Sequence, residues 1–225
     1  VIAGAALTLL ALGGLLRAEA VGSRRWRAVL KPLASIGLVW AAIGGLHPRL
    51  PDGTYGWLLL AGIVLSVAGD VLLIPRATAS FLLGMGAFAL AHVAYVVAFL
   101  TRVAPAWWHA AALAVFLIAG HLVWRWLEAH LTGSLRLPVR GYVLVVSVMA
   151  AVSAGSLGSV MSGEAAGAVA TPFIGGLLFY ASDLFVARQR FVAERFANKA
   201  IGLPLYYAGQ LLIASQVLGT AAIGS

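Results

Sequence analysis

Cysteine is absent from the chain, which excludes a disulfide framework and thiolate chemistry. Charge is scarce: only 10% of the 225 residues are Asp, Glu, Lys or Arg, against about one quarter in a soluble domain. So few charges cannot cover a water-facing surface. With 62% of residues hydrophobic, lipid is the expected solvent. There is no P-loop, no Gly-x-Ser-x-Gly elbow, no dinucleotide fingerprint and no heptad repeat. Neither His-x-x-x-His nor Glu-x-x-His occurs, so no metal and no cofactor is expected. The net charge of +8 is not a nucleic-acid footprint, which needs a basic patch on a polar surface. Here the basic residues lie between apolar runs, a pattern that belongs to membrane topology and lipid headgroups.

What the chain does have is eight apolar runs, at roughly 1–16, 31–47, 55–74, 80–101, 106–127, 139–161, 165–187 and 200–222. Most approach the ~20 residues that a spanning helix needs. Segment 1–16 has no basic leader and is expected to be a membrane helix rather than a signal peptide. Gly and Ala recur throughout, as close helix packing in lipid requires. Pro48, Pro51, Pro75, Pro105, Gly133, Pro138 and Gly163 fall between the runs as breakers. No linker divides the chain. The expectation is one all-α domain over 1–225, a polytopic transmembrane bundle of eight helices.

Charge then orients the bundle. The loops after runs 1, 3, 5 and 7, with their flanks, hold 13 of the 15 basic residues, and the opposite side has only Arg49 and Arg102. By the positive-inside rule the basic side is cytoplasmic and both termini are non-cytoplasmic. Abundant Ala, Gly and Arg beside only two Lys suggests a GC-rich bacterial source, hence a bacterial inner membrane.

Two acids, Asp70 and Asp183, lie inside apolar runs. Each is about four residues from the cytoplasmic end of an inward-running helix, roughly 6 Å of helix rise below the boundary. Intramembrane acids are costly and functional by default; the plainer reading is a carboxylate satisfied by a neighbouring hydroxyl or cation. Ser66 stands one turn before Asp70, and Tyr180 three residues before Asp183, so each acid has a same-face hydroxyl. Lys31, before Pro32 at a helix mouth, and Arg190, two turns beyond Asp183, are placed to hold an anionic headgroup. His92, on a face with Tyr95, is either a proton shuttle or a packing residue. Tyr206, Tyr207 and Gln210 form a polar ridge on the last helix, and Tyr142 has a similar depth. The triplet Gly69-Asp70-Val71 with Phe81 faintly echoes Ser182-Asp183-Leu184 with Phe191, as a duplicated four-helix unit would.

These same residues carry a resemblance. Lys31-Pro32-Leu33, the block 68–73 around Asp70 with Phe81 and Gly84, the block 88–95 around His92, the block 175–183 ending in Ser182-Asp183 with Arg190-Phe191, and Leu205 to Gln210 run in order over nearly the whole chain. Together they resemble the YhhN family of membrane proteins, whose characterised members are lysoplasmalogenases. The stretch after Asp183 is more basic than that pattern leads one to expect. The resemblance implies cleavage of the vinyl ether bond of a lysophospholipid, giving a fatty aldehyde and glycerophosphoethanolamine or glycerophosphocholine. Asp70 and Asp183 would be the catalytic pair. Lys31, Ser66, His92, Tyr95, Tyr142, Tyr180, Ser182, Arg190, Tyr206, Tyr207 and Gln210 would surround the substrate.

Vinyl ether hydrolysis asks for one protonated and one ionised carboxyl, as paired acids supply in glycosidases. From the sequence, Asp183 near Arg190 is expected to be the ionised one and Asp70 the protonated one. Two rivals remain open at this point: an ion- or proton-coupled carrier using the same acids, and a non-catalytic lipid-binding protein.

Overall fold

The computed structural model describes residues 1–44, 51, 53–102, 106–158 and 166–218, with backbone alone for 166–169. His47, Pro48, Arg49, Pro105 and Gly163 lie outside the described residues. Eight α-helices are present among the described residues: α1 (Ile2–Ala20), α2 (Arg24–Ala42), α3 (Gly53–Leu72), α4 (Thr78–Leu100), α5 (Trp107–Glu128), α6 (Gly133–Gly155), α7 (Ala166–Ala187) and α8 (Phe196–Ala214). A π-helical turn over Arg188–Val192 follows α7. The eight-helix expectation holds. Six of these helices are long and apolar enough to cross a membrane. The other two, α2 and α8, carry Arg24, Arg25, Arg27 and Lys31, or Asn198, Lys199, Tyr206, Tyr207 and Gln210.

Several boundaries differ from expectation, each for a local reason. Helix α2 starts seven residues before Lys31, with Ser23 as its N-cap. Lys31 and Pro32 therefore lie within the helix, not at its mouth, and Pro32 withholds one backbone donor there. Its far end comes at Ala42 because Gly44 takes φ +70°, the left-handed conformation that terminates helices. Gly133 and Pro138, expected as breakers, belong to the first turns of α6. In each case the helix continues through a polar stretch that an apolar-run criterion discards.

Consecutive helices pair as hairpins, α1 with α2, α3 with α4, α5 with α6 and α7 with α8, and these are the most extensive contacts. Helix α6 then packs on α4 and α7, while α1, α2 and α3 reach α8. Helix α5 packs chiefly on α6 and leaves Val115, Ile118 and Leu122 exposed, as a lipid-facing helix does. Hairpin packing relies on small residues. A Cβ on Gly69 would stand 2.6 Å from the Phe88 ring, and one on Gly209 would stand 2.8 Å from the Gly175 carbonyl oxygen. Such close approach substitutes for the hydrophobic driving force that lipid does not supply.

The ends of α1, α3, α5 and α7 and the starts of α2, α4, α6 and α8 meet at one end of the bundle. A cavity of about 400 Å³ opens there, lined by Glu19, Arg27, Arg76 and Lys199 near the mouth and by Asp70 and Asp183 further in. This is the end that carries the 13 basic residues.

Candidate active site

Asp70 is 3% exposed and is held from two other helices. From α2, the Lys31 ammonium is 3.1 Å from Oδ1 and Ser35 Oγ donates to Oδ2 at 2.7 Å. From α8, Tyr206 Oη donates to Oδ2 at 2.8 Å. Lys31 and Ser35 are one turn apart, so α2 presents both on one face. Every partner of Asp70 is a donor.

Asp183 is built differently. Its partners also come from two other helices, α6 and α4, but they are neutral or exchangeable. Tyr142 Oη donates to Oδ2 at 3.0 Å, and His92 Nε2 lies 3.3 Å from the same oxygen and 3.1 Å from Tyr142 Oη. One proton can sit on either side of the Asp183–His92 contact. The ring of His92 is fully buried, and its Nδ1 has no partner among the described residues. Asp183 is 14% exposed at the cavity wall, and its Oδ1 has no partner among the described residues. The cation that the sequence placed beside Asp183 stands instead beside Asp70, as Lys31, and Asp183 has an imidazole beside it.

An aromatic cluster separates the two acids. Phe179, 1% exposed, packs edge-on against His92 at 4.5 Å and Tyr206 at 5.2 Å between centroids. Phe88 closes the group at 6.1 Å from Phe179 and 5.9 Å from Tyr206. Both acids and Phe179 line the same cavity, with Leu127, Val139 and Val143 providing apolar wall beside them. A cavity with two acids at its wall and greasy sides suits a single-chain amphiphile. Among the described residues no three His, Asp or Glu side chains gather as a metal site would require.

Of the expected site residues, Lys31, Asp70, Tyr142, Tyr180, Ser182, Asp183, Arg190 and Tyr206 line the cavity. Several contacts need correction. Ser66 Oγ donates to the Gly62 carbonyl at 2.9 Å, not to Asp70, the usual outcome for a helical Ser in apolar surroundings. Tyr180 does not hold Asp183: its ring packs on Phe116, and Tyr142 takes the role expected of it. Arg190 does not reach Asp183; the π turn shifts its register, and its guanidinium lies 4.8 Å above the Phe81 ring. Ser182 Oγ back-bonds to the Phe179 carbonyl. Tyr95 donates to Gln210 Oε1 at 2.8 Å, both fully buried, which ties α4 to α8 behind the cavity wall. Tyr207 Oη stands 3.4 Å from Ser35 Oγ and from the Lys31 carbonyl, a support for α2 rather than a lining group. Sequence reasoning missed Ser35, whose one-turn spacing from Lys31 was a usable signal, and Phe179, for which no signal existed.

The YhhN family matches residues 26–217. The chain belongs to the YhhN family. Its relatives include a lysoplasmalogenase of Mycobacterium bovis, 32% identical over 199 residues, 83% of this chain and 69% of the relative. Lysoplasmalogenase TMEM86B of Rattus norvegicus is 31% identical over 170 residues, 75% of this chain and 64% of the relative. Lysoplasmalogenase TMEM86A of Bos taurus is 32% identical over 156 residues, 69% of this chain and 63% of the relative. The match thus spans slightly under two thirds of the length of these two mammalian YhhN relatives. No solved structure matches the chain.

Proposed function

We propose that this protein hydrolyses the vinyl ether bond of a lysoplasmalogen-type lysophospholipid. The observation that carries the reading is the pair of unlike acids in one amphiphile-sized cavity, in a chain whose relatives are named for that activity. The Asp183–His92 pair delivers a proton to the vinyl carbon β to the ether oxygen. A C–H bond forms, the π electrons shift, and an oxocarbenium ion results. The Asp70 carboxylate, fixed by Lys31, Ser35 and Tyr206, faces that cation, and the rings of Phe179 and Tyr206 flank it. Asp183, now without its proton, takes one from the attacking water as the water oxygen bonds to the cationic carbon. The hemiacetal then collapses: its C–O bond breaks, the glycerol oxygen gains a proton and the hydroxyl loses one. One water is consumed, and a fatty aldehyde and a glycerophospho-base are released. The mouth of the cavity faces the cytoplasm in this reading, both termini are on the other side, and the membrane is a bacterial inner membrane.

The test is purified protein in detergent with lysolipids carrying ester, alkyl ether or vinyl ether linkages, and mass detection of products. Aldehyde is expected from the vinyl ether lipid alone. Full aldehyde release by both Asp70→Asn and Asp183→Asn would overturn the mechanism. Lipid uptake into proteoliposomes without any cleavage would favour a carrier, a reading to which the names of the relatives lend no support.

A further inference from the structure

The mouth of the cavity contains a group that the reaction does not use. Glu19 at the end of α1 receives Lys199 of α8 on Oε2, with Nζ donating at 2.7 Å. Arg27 of α2 approaches the same oxygen at 3.7 Å through Nη1. Three helices therefore converge on one carboxylate that is only 9% exposed. Two cations against one acid leave a positive charge uncompensated. Arg27 Nε is also buried and has no partner among the described residues, and an unsatisfied donor on a charged group is costly unless a ligand takes it. All three side chains line the cavity that holds both catalytic acids.

The spacing along α2 sets the distance to the chemistry. Arg27 lies one turn before Lys31 on the same face, so it stands about 6 Å of helix rise nearer the mouth than the Lys31–Asp70 pair. Lys199 similarly lies seven residues, two turns, before Tyr206 on α8. A three-carbon glycerol separates a phosphate at one end from an ether oxygen at the other by a length of this order. Guanidinium and ammonium donors side by side are the usual means of holding a phosphate oxygen pair.

We infer that Arg27 and Lys199, braced by Glu19, form the subsite for the phosphodiester of the substrate headgroup. This rests on the lysophospholipid reading above and adds the residues that select a charged headgroup over a neutral glycerol ether. Lys31, which the sequence suggested for this role, lies one turn deeper and is paired with Asp70. Arg190 is likewise engaged with Phe81.

The experiment reads binding rather than turnover. A single-chain alkyl ether lysophospholipid, which has no vinyl group to protonate, is titrated into purified protein and compared with the alkylglycerol of the same chain. Arg27→Gln and Lys199→Gln are each expected to weaken the lysophospholipid about tenfold or more and to leave the alkylglycerol unchanged. Lys199→Arg is expected to retain binding, which controls for misfolding. Equal weakening of both ligands, or no weakening of either, would overturn the subsite. So would displacement of the lysophospholipid by inorganic phosphate at equal concentration, which would make this a free-anion site. Protein that binds in the expected pattern yet releases no aldehyde from a vinyl ether lysolipid would sink the proposed reaction and leave the subsite standing.

Discussion

Asp70 and Asp183 are the same residue on parallel helices near the same end of the bundle, yet their surroundings differ in kind. Around Asp70 an ammonium and two hydroxyls converge within 3.1 Å. Around Asp183 there are a phenol and an imidazole, no permanent cation, and a carboxyl oxygen open to the cavity. Donors on every side make Asp70 an acceptor. In the proposed reaction, a partner that can hold or return a proton makes Asp183 the place where one is kept and spent. Role is thus set by what the neighbouring helices bring, not by the residue type or its depth.

The contrast can be broken from either side. The largest effect is expected at Asp183: Asp183→Asn should lower kcat for aldehyde release about 10²–10⁴-fold. Its unfolding free energy in detergent should change by no more than about 1–2 kcal/mol. Next is Lys31→Met, which strands a buried carboxylate and should destabilise the fold by about 3–5 kcal/mol, read by denaturant unfolding. If Lys31→Met and Asp183→Asn cost the same stability, the two acids are not different in the way described. Ser35→Ala removes one charge-assisted donor from Asp70 and should cost about 1.5–3 kcal/mol. Activity should fall with it, whereas removing the Ser66 hydroxyl, which donates to the Gly62 carbonyl and not to Asp70, should leave activity near wild type. The smallest effect is expected at Tyr95→Phe. It frees Gln210 Oε1 behind the wall and should cost about 1 kcal/mol of stability with KM unchanged; a raised KM would mean that the α4–α8 tie reaches the substrate.

The bundle was legible in the sequence because apolar runs set off by breakers and basic loops become helices in lipid. The basic end was legible for the same reason. Helix ends near that basic end were not. Arg17 and Glu19 extend α1, and Arg24, Arg25 and Arg27 begin α2, where an apolar window sees only loop. The acids themselves stood out, but their partners did not. Spacing along one helix pointed to Ser66 and Tyr180, whereas the hydroxyls that reach the carboxylates come from α2, α6 and α8. Which helix lies beside which is decided by glycine contacts such as Gly69 on Phe88, and no single-helix pattern reports that. Arg190 was misread because a π turn, invisible in composition, changes the direction of the residues after Ala187.

Each acid takes a partner from a helix distant in the chain's order. Asp70 in α3 needs Tyr206 from α8, and Asp183 in α7 needs His92 from α4. Helices enter a membrane in the order they are synthesised, and earlier ones settle first. The Lys31–Asp70 pair can form as soon as α2 and α3 are in place. The Asp183–His92 contact must wait for α7, and the mouth with Lys199 for α8. A half-made chain therefore has its Lys31–Asp70 pair early and its Asp183–His92 contact late. No stage of biogenesis short of the final hairpin places a working lipid hydrolase in the membrane that is receiving it.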